Sequence, residues 1–253
     1  MSRSKAGQWH ALSSLLLIVV VGLPVCAQAA EAQGTSGQSA SSQSTSSNTH
    51  LNAVDTYRLA LLEMKAHLSV ARTLLQIGTP GAKYHLRQPV QEIFERIRPQ
   101  LENRNAPLTP DILAPLEHVT ETAWQTAIPV LDSVDSAIDG SFAQAGALSL
   151  DSTLDLSGAL LRQAVDLYAR SVENNAVVDV HGYQTGRGLV LQAEALVRHS
   201  TRLRKKPGYD ALLARIVVIR QSWPGVTPPP IVFDPKSVSG RLNEIMATMK
   251  EMR

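Results

Sequence analysis

Between Val54 and Leu75 the apolar residues Val54, Tyr57, Leu61, Met64, Leu68, Ala71 and Leu75 recur at alternating steps of three and four. That spacing paints one stripe along a helix of 3.6 residues per turn and cannot sit on one face of a strand, which alternates every second residue. Asn52 supplies an N-cap, and Gly78-Thr79-Pro80-Gly81 a stop, with glycine as the left-handed terminal residue and proline unable to continue. The rest of the chain repeats this rhythm. A second helix is predicted from about Ala82 to Asn103, its regular part starting at Pro89 and its last turns bent at Pro99. A third runs from the cap Thr109-Pro110-Asp111 to about Ile138, kinked at Pro129 and ended by Gly140. A fourth opens at Asp151, a fifth covers His181 to Leu203, a sixth runs from Tyr209 to Trp223, and a last spans Ser237 to Met252.

Only "AVVDV" at Ala176 and "RIVVIR" at Arg215 look strand-like, and the second fits a helix face equally well. The loop "PGVTPPPIVFDPK" is too rich in proline for a helix or a central strand. The expected fold class is therefore all-α, an antiparallel helical bundle of six or seven helices occupying residues 51–253 as a single domain.

The first 29 residues have the layout of a secretory signal: Arg3 and Lys5, the apolar run Leu12 to Leu23, then Ala27-Gln28-Ala29 as a cleavage pattern. The apolar run is shorter than the roughly 20 residues of a spanning helix. Cys26 lies where a lipoprotein cysteine would sit, but bulky Val25 precedes it, so lipidation stays open beside ordinary cleavage. In the latter case the only cysteine leaves with the signal, and a secreted domain without cystines points to a bacterial periplasm. Residues 30–50, dominated by Ser, Gln, Gly and Thr, read as a disordered linker with nothing to anchor a core.

The signal segment holds two of the 24 basic residues and none of the 22 acidic ones, so the remainder is formally neutral. Neutrality argues against nucleic acid as a partner and against an anionic membrane surface, both of which select a basic excess. No stable membrane insertion is expected after signal removal.

Spacing excludes several chemistries. There is no C-x-x-C-H for covalent haem, no H-E-x-x-H for zinc hydrolysis, no G-x-S-x-G for a serine nucleophile and no Glu-x-x-His for a di-iron bundle. No catalytic residue is expected, and the chain does not read as an enzyme.

Two constellations remain. His67 borders the apolar stripe of the first helix, with Glu63 one turn before it and close enough for a hydrogen bond or shared coordination. His85 follows the Gly-Pro corner, then Gln88, Glu92 and Glu95 at helical spacing. If the helices form a hairpin, His67 lies about three turns before the corner and His85 about one turn after it, so register decides whether they meet. One reading makes His67, His85, Glu92 and Glu63 a metal or small-ligand site with a transition metal as cofactor; the other makes the histidines buried hydrogen-bonded residues and the glutamates a solvated face. In the second constellation Asp179 caps a helix on which Gly182, Gly186 and Gly188 leave one side bare, for another backbone or for a ligand beside Tyr168 and Tyr183. The basic run Arg198 to Lys206 falls in a last helical turn, where cations suit the macrodipole. Glu117, His118 and Glu121 read as surface.

The stretch "AHLSVARTLLQIGTPGAKYHLRQPVQEIF", with "VENNAVVDVHGYQTGRGLV" and "WPGVTPPP", resembles uncharacterised exported bacterial helical-bundle proteins that carry H-x-x-H-P-x-x-E after a glycine corner. The middle patch is distantly similar to the helical periplasmic region of some iron permeases. On that resemblance His67, His85 and Glu92 carry over as metal ligands, while Gln88 stands where the pattern has its second histidine and His181-Gly182 where it has a glutamate. Taken together with the signal layout, the sequence is read as a periplasmic or secreted helical-bundle protein binding a small ligand or an envelope partner, with metal homeostasis as the candidate process. The alternative is a structural or envelope-interaction protein without a ligand site.

Overall fold

The computed structural model describes residues 51–120 and 124–253. The expected signal peptide, Cys26, the linker and Glu121 lie outside those residues. The chain order is α1 (Ala53–Gln76), α2 (Ala82–Gln88), a π-helical turn (Pro89–Phe94), α3 (Glu95–Asn103), α4 (Pro110–Leu113), a 3-10 turn (Ala114–His118), α5 (Trp124–Gln144), α6 (Leu150–Ser171), β1 (Val172–Glu173), β2 (Ala176–Val177), α7 (Val180–His199), a 3-10 turn (Leu203–Lys205), α8 (Tyr209–Arg220) and α9 (Pro235–Glu251). This is an all-α helical bundle. Since α4 is a single four-residue turn, the described residues hold eight helices rather than the six or seven expected.

Pro89 accounts for the extra helix, and Pro115 shortens another. Pro89 has no N–H to give to the His85 carbonyl, and the expected helix over 82–103 widens there into a π turn, which separates α2 from α3. Pro115 interrupts the expected third helix: one α turn is followed by the 3-10 turn, and the next helix among the described residues is α5 from Trp124. Gly140 does not end α5. A β-carbon there would lie 2.8 Å from Pro107 Cγ, so this glycine sits mid-helix to let the 107 turn approach, and the left-handed stop is Gly146 at φ +88°.

Several ends are built as their residues dictate. The Asn52 side chain accepts from the Asp55 N–H, the Asp179 side chain from the Gly182 N–H and the Asp234 side chain from the Ser237 N–H. Helix α6 opens one residue before Asp151, capped by Ser149. "AVVDV" supplies β2, which pairs antiparallel with β1 through Asn174 and Asn175, both at positive φ as a tight hairpin requires. "RIVVIR" lies within α8.

Helix α1 is buried on two sides. Tyr57, Leu61, Met64, Leu68 and Leu75 pack with apolar residues of α2, α3 and α5, whereas Leu62 and Ala66 face the core formed by α6, α7, α8 and α9. Polar positions of α1 are thereby enclosed as well: Asp55, Arg58 and His67 are all buried. Among the described residues no helix is long and apolar enough to cross a membrane.

Candidate functional site at the histidine corner

The corner after α1 is set by backbone chemistry. The Thr79 N–H donates to the Leu74 carbonyl and the Gly78 N–H to the Leu75 carbonyl, with Gly78 at φ +65°, which is the paired closure of a Schellman stop. The chain turns back, α2 begins at Ala82, and its second turn lays His85 against His67.

The two imidazoles meet with Nδ1 atoms 3.1 Å apart, and His85 Nε2 lies 3.0 Å from Gln184 Oε1 on α7. The Gln184 Nε2 donates to the Val226 carbonyl at 3.2 Å, which leaves its Oε1 as the acceptor facing His85. His85 must therefore carry its proton on Nε2. Its Nδ1 lone pair then takes the Nδ1 proton of His67, and His67 Nε2 keeps a lone pair. The result is a directed chain, His67 to His85 to Gln184 to Val226, joining α1, α2, α7 and the proline-rich loop.

Burial dictates that both rings are neutral. It pushes His67 down to about 3, with the neighbouring His85 adding to the effect. It pushes His85 down to about 4, partly opposed by the Gln184 hydrogen bond and reinforced by His181. The outer side is closed by Tyr84, whose ring stacks on His181 at 4.0 Å between centroids and meets His85 edge-on.

The remaining expected ligands are placed elsewhere. Glu63 receives Arg96 on one carboxylate oxygen and, at 2.8 Å, the Gln163 amide on the other, so it does not join His67 one turn away. Glu92 is exposed on the π turn. Among the described residues no group of three or more His, Cys, Asp or Glu side chains could hold a metal ion. Two histidines already engaged with each other fall short of the three or four protein ligands typical of zinc sites.

The glycines of α7 are explained by packing. A β-carbon on Gly188 would lie 2.6 Å from the Ala66 carbonyl oxygen of α1; one on Gly186 would lie 3.0 Å from Trp223 Nε1 and 3.2 Å from the Ala164 carbonyl oxygen of α6. Tyr168 and Trp223 meet edge to face at 4.8 Å beside them. In the basic run, Arg198 pairs with Glu194, and the guanidiniums of Arg202 and Arg204 donate to the Leu148 and Arg198 carbonyls. Glu117 and His118 are exposed.

Two partners escaped sequence reasoning. Gln184 lies 99 residues from His85 and carries no local mark of its role. The buried Asp55–Arg58 pair, at 2.9 Å, was hidden by its charge: the guanidinium also donates to the Ala145 and Gly146 carbonyls at 2.7 Å, and Asp55 accepts from the Ser152 hydroxyl. The i to i+3 spacing of an acid and a base beside the Asn52 cap was the one available signal.

Comparison with family models, with curated proteins and with solved structures finds no match.

Proposed function

We propose that this chain is a non-catalytic structural or envelope-interaction protein: an exported helical domain, delivered to the periplasm, whose histidines fasten helices rather than bind a metal. The observation that carries this reading is the directed hydrogen-bond chain from His67 through His85 and Gln184 to Val226. It engages the two nitrogens that face each other, and its members come from three helices and a loop. A metal would have to break the Nδ1 to Nδ1 bond and recruit ligands from beyond Glu63, whose oxygens are occupied. Export rests on Arg3, Lys5, the Leu12 to Leu23 run and the Ala27-Gln28-Ala29 pattern.

The test is metal loading with a structural control. Purified protein is incubated with zinc, nickel or ferrous iron, desalted and submitted to elemental analysis, for the wild type and for His67→Ala with His85→Ala. The structural reading predicts substoichiometric metal in both proteins and a lower unfolding midpoint in the variant. One equivalent retained by the wild type and lost from the variant would instead establish the metal-homeostasis reading. Fractionation of a tagged full-length chain tests export separately.

A further inference from the structure

Away from the histidine corner, the described residues leave a cleft of about 560 Å³ where α1, α5 and α7 meet the turn between α5 and α6. Its size lies within the range of small-molecule sites. Leu62, Phe142, Leu148 and Leu196 give it an apolar floor from four different segments. Gln192 adds an amide, while the Thr153 hydroxyl beside it already donates to the Ser149 carbonyl at 2.8 Å.

The charges at its rim are unequal. Asp139 is its one lining carboxylate and is already met by Lys65 Nζ at 2.5 Å, which also lies 3.4 Å from Asp135. Arg202, just beyond α7, gives one terminal nitrogen to the Leu148 carbonyl and forms no ion pair with a carboxylate among the described residues. A guanidinium has five donors in a planar fork, and one carbonyl leaves most of the fork for a second acceptor. His199 stands beside it on the same rim. The cleft thus presents a greasy floor, one compensated ion pair and one guanidinium with donors to spare.

We infer that this cleft binds an amphipathic monocarboxylate, its apolar body on Leu62, Phe142, Leu148 and Leu196 and its carboxylate on Arg202. A single charge matches the one cation among the described lining residues that pairs with no carboxylate. A polyanion would find no second one, because Lys65 is held between two aspartates. A cationic ligand would meet Arg202 and find Asp139 taken.

The test uses octanoate as probe, with octanol and octyltrimethylammonium as chain-matched neutral and cationic controls. Each is titrated into the purified chain by calorimetry and by methyl NMR with leucine labelled. Octanoate should bind saturably at one equivalent, shift the methyl signals of Leu62, Leu148 and Leu196, and bind at least about tenfold more tightly than either control. Arg202→Gln should lower octanoate affinity about tenfold and leave octanol unchanged. Ala195→Trp, which fills the cleft, should abolish binding of both, and Gln192→Trp provides the same block should the first variant fail to fold. Non-saturable uptake, equal affinity for all three probes, signals moving elsewhere, or undiminished binding by a folded cleft-filling variant would each overturn the inference.

Discussion

Helix α1 is held on its two sides by different chemistry. Toward α3 and α5 the apolar packing is flanked by charged contacts: Arg58 reaches the Ala145 and Gly146 carbonyls, Lys65 meets Asp135 and Asp139, Arg72 meets Asp132, and Glu63 receives Arg96. Toward α7 the contact is close and nearly without charge, with Gly188 laid against the Ala66 backbone. The charged side adjoins the stretch that prolines interrupt, from α2 to α5, and the glycine side adjoins regular helices. Side chains that reach and bend tolerate an irregular neighbour. Backbone against backbone demands a straight helix and no β-carbon. The histidine corner lies across both regimes, since α2 gives His85 and α7 gives Gln184.

The comparison breaks most sharply at Arg58. Replacing it with alanine removes the only charge partner of the buried Asp55 among the described residues and leaves that carboxylate the Asn52 amide and the Ser152 hydroxyl as donors; it should cost about 3 to 5 kcal/mol in urea unfolding. Amide exchange should rise in α5 before α7.

Acidification attacks the corner itself. Both histidines have folded values below the ordinary 6.5, so their contribution to stability is whole above pH 6.5 and is lost as pH falls from there toward about 4 and then about 3. The unfolded chain takes up protons that the folded chain refuses. Between pH 7.5 and 5.5 the pair should cost roughly 2 to 3 kcal/mol, measured by denaturant titration at each pH. His67→Gln should remove about half of that dependence.

On the glycine side, Gly188→Ala must push α7 away from α1 and should cost about 1 to 3 kcal/mol, whatever the salt concentration. Arg72→Ala on the charged side should cost only about 0.2 to 1 kcal/mol, and 1 M sodium chloride should erase most of the difference from wild type. A salt-dependent loss at Gly188, or a salt-independent one at Arg72, would undo the distinction between the two sides.

Much of this architecture could be read from the sequence. The bounds of α1 followed from its stripe, from Asn52 and from the Gly-Thr-Pro-Gly stop, because caps and periodicity are local. The breaks were read less well. Pro89 and Pro115 are visible as prolines, but whether a helix bends, widens or ends at one depends on what packs beside it. Gly140 looked like a stop and serves as a contact, which only the position of Pro107 reveals. The charges of α1 were harder still: one stripe implies one buried side, and nothing local says that α6 and α7 cover the other. At the corner, His67 and His85 were visible as a pair whose meeting depends on register, and the structure supplies that register. Gln184, which fixes their tautomers, could be found only after the chain had folded.

The central claim, that His67 and His85 are neutral and linked nitrogen to nitrogen, is tested most directly by long-range nitrogen–proton NMR of the imidazoles between pH 7 and 5. The account predicts neutral rings throughout, with the proton on Nδ1 of His67 and on Nε2 of His85, unchanged by added zinc. Rings that titrate near pH 6.5, or nitrogen shifts that move when zinc is added, would contradict it.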